Sequence, residues 1–110
     1  MNTKINYLYR DASNYKVLNS VIVQGIFTKE QIELIIDTLD GKEFFIPSQV
    51  GLPEFRFYDW TEDDHCWFEL NENDFIKTEV EPTVDITASE LTEAFIAMNG
   101  KWDDTIELDI

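Results

Sequence analysis

The sequence predicts an α+β fold, an antiparallel sheet with two helices packed on one face. Three observations carry this. Two segments show the 3.6-residue apolar spacing of a helix, and each opens with a capping box. The other apolar runs are short and rich in β-branched and aromatic residues, as strands are. Hairpin-length turns join most of these runs, whereas a parallel sheet would need a helix between successive strands.

Lys4–Arg10 and Val17–Phe27 read as strands, with Asp11, Ala12, Ser13 and Asn14 supplying turn formers between them. Thr28 and Gln31 then form a capping box, and Ile32, Ile35, Ile36 and Leu39 fall on one helical stripe. Gly41 stands where a left-handed glycine would end that helix. Glu43–Ile46 is a short extended piece. The run from Pro47 to Pro53, with Gly51 inside it, predicts a fixed irregular loop. Glu54–Trp60 is a further strand candidate, and Asp59–Asp64 an acidic turn. His65–Asn71 and Phe75–Val80 are strands around a turn at Asn71–Asp74. Thr87 and Glu90 cap the second helix, whose stripe is Leu91, Ala94, Phe95 and Met98 before Asn99-Gly100. In the tail, Ile106, Leu108 and Ile110 alternate with Glu107 and Asp109, as in an edge strand or a frayed end.

The expected core sets Ile32, Ile35, Ile36, Leu39, Leu91, Phe95 and Met98 against a sheet face containing Phe68 and Leu70. A length of 110 residues and a 44% hydrophobic content suit a single acidic α+β domain spanning 1–110. No Gly/Ser linker, internal repeat or low-complexity tract divides it.

Charge is the dominant feature. The chain carries 23 acidic and 8 basic residues, a formal charge of -15. Residues 1–58 hold 7 acids and 6 bases, so residues 59–110 hold the other 16 acids with only Lys77 and Lys101. Such a field argues against direct binding of nucleic acid, which needs clustered Lys and Arg, and against an anionic membrane surface. No apolar run reaches the ~18 residues of a membrane span, and the first residues lack the apolar centre of a signal peptide. The lone Cys66 allows no internal disulfide, which fits a reducing, cytoplasmic setting.

Catalytic chemistry finds little support. On a strand, His65 and Cys66 would point to opposite faces, so neither could serve the other. Alternation sends Cys66, Phe68 and Leu70 to the core face, predicting a buried thiol, and sends His65, Trp67 and Glu69 to the other face. The acids around His65 lack the alternate spacing and glycine of a calcium loop, and a solvated turn is expected instead. One His and one Cys cannot close a structural zinc site without carboxylates. No phosphate-cradling glycine loop, nucleophile elbow or zinc-protease helix motif is present. The expectation is a non-enzymatic protein with no catalytic residue, cofactor or metal. Trp60, Trp67 and Trp102, like Tyr7, Tyr9 and Tyr15, are either interface anchors or cover for a small sheet.

Three strings, Tyr9–Lys16, Phe45–Pro53 and Asp64–Leu70, resemble segments of an uncharacterised family of small acidic bacterial proteins, some carried by phages and mobile elements. The resemblance covers most of residues 1–102. It brings no known activity and implies a mobile-element accessory protein.

The functional expectation is an acidic protein-binding module. It would be a phage or mobile-element accessory inhibitor of anti-defence type, or a DNA mimic, acting on a basic nucleic-acid-handling protein such as a nuclease. In B-DNA one charge falls about every 1.7 Å of axis, a density that clustered carboxylates can imitate. The partner-binding residues would be Glu62, Asp63, Asp64, Glu90, Glu93, Asp103, Asp104, Glu107 and Asp109 on one negative face, with Trp102 at its edge. Two alternatives share the composition: an immunity- or antitoxin-like partner of a basic toxin, and a general adaptor whose acidity serves solubility.

Overall fold

β1 (Asn2–Arg10) is the strand around which the fold is built. A computed structural model describes residues 1–11, 13–54 and 65–104 of the chain. Along its whole length β1 pairs antiparallel with β2 (Lys16–Gln24), from Asn2 opposite Gln24 to Arg10 opposite Lys16. The Asp11 carboxylate closes the hairpin by accepting the N–H groups of Ser13 and Tyr15, both at 2.9 Å. The other side of β1 is shared. Leu8 faces Glu69 of β4 (Phe68–Glu69), while Asn2–Ile5 face Thr78–Phe75 of β5 (Phe75–Thr78). β3 (Phe44–Phe45) completes the sheet beyond β4.

Both helices lie on one face of this antiparallel sheet, as the sequence predicts. α1 (Lys29–Thr38) and α2 (Ala88–Met98) pack on each other as well as on the sheet. Each begins with its expected capping box, Thr28 with Gln31 and Thr87 with Glu90, both reciprocated by backbone N–H bonds. The stripes then deliver Ile35, Leu39, Leu91 and Phe95 to a core shared with Phe68 and Leu70. Ile32, Ile36 and Met98 lie at the margin of that core and are only partly buried. Their expected burial is incomplete because two helices cannot cover the whole sheet face and each other at once.

Period-2 alternation sorts β1 cleanly. Thr3, Ile5, Tyr7 and Tyr9 are buried beneath the helices, whereas Lys4, Asn6, Leu8 and Arg10 take the opposite, open face. Tyr7 sits edge-on to Phe45 at 5.6 Å, and Tyr9 lies 5.3 Å from Phe68. These tyrosines are core residues. Tyr15, at 66% exposure, is not.

Several boundaries differ from expectation. α1 stops at Thr38 because Leu39 turns extended (φ -70°, ψ 148°), so Gly41 does not end it as a left-handed cap. Gly41 and Lys42, both left-handed at φ near 60°, instead make the tight turn into β3. The Pro47–Val50 loop winds one 3-10 turn, closed by left-handed Gly51. Only Phe68–Glu69 of the expected strand over His65–Asn71 pairs as strand, and the next strand ends at Thr78. Between them Asn71 and Asp74 cap a short 3-10 turn, and partial burial holds the Asp74 carboxyl above the usual range. Cys66 precedes the paired residues and is partly exposed, which corrects the expectation of a buried thiol. The strand candidate at Glu54–Trp60 falls almost entirely outside the described residues. So do the turn at Asp59–Asp64 and the tail beyond Asp104.

Candidate functional site

The acidic residues that the sequence singles out fall into three groups. Glu90 and Glu93 are exposed on the first turns of α2. Glu90 also closes the helix cap, since the Thr87 N–H bonds its carboxylate and holds it below the usual carboxyl range. Asp103 and Asp104 are exposed beyond the other end of the helix. Glu62, Asp63, Asp64, Glu107 and Asp109 lie outside the described residues, in two stretches that flank His65 and Asp104 in the chain.

Residues 102–104 form a fixed arm. The Gln49 side chain bonds Asp103 twice, donating to its carbonyl at 2.8 Å and accepting its N–H at 3.1 Å. The Cys66 thiol donates to the carbonyl of Asp104 at 3.5 Å. Trp102 fastens the base of the arm. Its indole N–H donates to the Thr38 carbonyl at 2.7 Å, one of the carbonyls left over at the end of α1. The ring packs edge-on against Phe45 and Phe95, with centroids 6.3 and 6.0 Å away. Trp102 is therefore half core residue and half strut. The two carboxylates after it are presented from a backbone held at three points.

A cleft of about 290 Å³ opens near the same end of α1, lined by Asp40, Phe44, His65 and Trp67. One wall is set by paired backbone bonds: the Asp40 N–H donates to Phe44 O at 2.8 Å, and the Phe44 N–H donates to Asp40 O at 3.0 Å. The other wall is set by the imidazole. His65 Nδ1 accepts the Trp67 N–H at 3.1 Å, so Nε2 carries the proton and donates to Arg10 O at 2.7 Å. With both nitrogens engaged, His65 contributes a fixed ring and no free base. Alternation in the sequence places His65 and Trp67 together on the non-core face but does not link them to Asp40 or Phe44. That link depends on the two-residue pairing of β3 with β4.

Positive charge is placed elsewhere. Lys4, Arg10 and Lys16 take the open face of the β1–β2 hairpin, where residues 1–27 hold only Asp11 as an acid. Arg10 is bound to Glu69 at 2.8 Å, which raises its already high pKa, and to Asn14 at 2.6 Å. By contrast residues 28–54 carry 6 acids with Lys29 and Lys42, and residues 79–104 carry 7 acids with Lys101. The two segments that contain the helices are thus acidic, and Glu69, Glu72 and Asp74 add three acids against the single base Lys77.

Among the described residues no three His, Cys, Asp or Glu side chains are grouped to hold a metal ion. The solvated-turn expectation for residues 62–64 predicts that a chelator leaves the melting temperature unchanged. A fall of several degrees with EDTA, restored by calcium or zinc, would overturn it. No helix among the described residues is long and apolar enough to cross a membrane. No protein family, curated protein or solved structure matches the chain, so its functional reading rests on these residues alone.

Proposed function

We propose that this chain is a non-enzymatic binding module whose acidic helical segments engage a basic nucleic-acid-handling protein in place of nucleic acid, and so inhibit it. The observation that carries the reading is the uneven charge of the chain: the segments that contain the two helices are acidic, and the β1–β2 hairpin is not. Acidity that served solubility alone would be spread over every surface, whereas here the open face of the hairpin is basic and apolar. The Asp103–Asp104 arm supports it further. Carboxylates on a braced backbone lose less freedom on binding than those on a loose tail, and opposed fields speed encounter.

The test reverses Asp103, Asp104 and Glu107 to Lys together and measures capture of basic proteins from host lysate. The parent chain should capture a nucleic-acid-binding protein at low salt, release it as salt rises, and lose it to competing DNA. The folded triple variant should bind at least about tenfold more weakly, because several attractive charges become repulsive. Undiminished binding by that variant would remove the acidic arm from the interface. Capture of no basic protein at any salt would leave the general adaptor in place of the decoy.

A further inference from the structure

We propose that the cleft between Asp40–Phe44 and His65–Trp67 receives an arginine side chain presented by the partner protein. The chemistry of the walls points to a flat cation. Phe44 and Trp67 line it with aromatic rings, whose quadrupole draws a guanidinium. Asp40 offers a carboxylate, the planar two-oxygen acceptor that a guanidinium fork matches with paired hydrogen bonds. His65, with both nitrogens already bonded, adds a third ring.

Among the described residues the surrounding charges leave this position unmet. The cleft lies just past the C-terminus of α1, where aligned peptide dipoles are negative and a cation is favoured. Yet the last turn of α1 holds no basic residue. Lys42 lies two residues beyond Asp40, but its ammonium is turned to Asp37 at 3.5 Å. Arg10 is held by Glu69 and Asn14. Among the described residues no cation pairs with Asp40. A volume of about 290 Å³ also suits one side chain better than a larger ligand.

The inference rests on the proposed function only for the owner of the arginine, so the site can be tested without any partner. N-acetyl-L-arginine amide is titrated into the full chain and followed by ¹H–¹⁵N NMR at constant ionic strength, with N-acetyl-L-lysine amide as control. The arginine probe should give saturable shifts at the amides of Asp40 and Phe44 and at the indole of Trp67, and the lysine probe shifts several-fold weaker. Asp40→Asn should weaken arginine binding about three- to tenfold, and Trp67→Leu should reduce it comparably. The amide spectrum of each variant away from the cleft shows whether it is folded. Asp40→Asn alters only an exposed side chain and keeps the test valid if Trp67→Leu does not fold. Equal response to both probes, shifts that never saturate, or indifference to Asp40→Asn would each overturn the proposal. If the probe fails while the triple lysine variant still loses its partner, only the cleft is refuted.

Discussion

Replacing Phe95 with alanine is expected to destabilise the fold by about 3–5 kcal/mol. Phe95 is 1% exposed on the buried stripe of α2, with the Phe45 ring 5.4 Å away and Trp102 at 6.0 Å. The loss has two parts, the transfer energy of the ring and the cavity left behind. The cavity cannot collapse easily. Phe45 is held in β3 by its pairing with Phe68, and Trp102 is fastened through its indole N–H to Thr38. A domain of this size is stable by about 5–15 kcal/mol, so the loss would be a large fraction of the total. Urea denaturation of parent and variant measures the difference. A loss below about 1 kcal/mol would show that α2 does not close the core in solution.

The second large effect is alkaline. Tyr7 is 1% exposed and donates its phenol proton to the Pro53 carbonyl at 2.6 Å. Burial, reinforced by the charge of Glu54, pushes its pKa well above the ordinary 10. Below pH 10 the phenol is neutral in both states, and Tyr7 gives stability no pH dependence. Above it the unfolded chain releases the proton while the folded chain keeps it. Stability should then fall by about 1.4 kcal/mol per pH unit for this one group, until the raised folded pKa is reached. Tyr7→Phe should lose a hydrogen bond worth about 0.5–1.5 kcal/mol at neutral pH and show a shallower decline between about pH 10 and 11.5. Equal slopes in the two proteins would mean that Tyr7 does not carry the alkaline sensitivity.

How much of this is legible in the sequence varies with the range of the interaction. Both capping boxes are readable because Thr28 and Gln31, or Thr87 and Glu90, stand three residues apart and satisfy each other locally. The burial of Tyr7 and Tyr9 is also open to reading, since Thr3, Ile5, Tyr7 and Tyr9 alternate with Lys4, Asn6 and Arg10. The tail of α1 misleads because Gly41 matches a helix-ending glycine. The tight turn to β3 claims it instead, and only the pairing of β3 discloses that turn. Trp102 finds its indole acceptor 64 residues away at Thr38, a relation that no local pattern encodes. The cleft is of the same kind: Asp40 and Phe44 meet His65 and Trp67 only after β3 and β4 have joined.

The sharing of β1 among three strands bears on how the chain is made. The β1–β2 hairpin is complete once residue 24 is synthesised, but β4, β5 and α2 extend to residue 98. At roughly 5–20 residues per second the later elements follow after about 4–15 s. During that delay Ile5, Tyr7, Tyr9, Val21 and Val23 lack the cover of α2, and a two-stranded hairpin alone is marginal in water. The nascent chain must therefore hold its least acidic stretch without full cover until its C-terminal third arrives. Shortening the protein at either end undoes contacts of β1. Loss of residues 1–5 takes away the strand to which β5 pairs, and loss of α2 uncovers the strand on which everything else is laid.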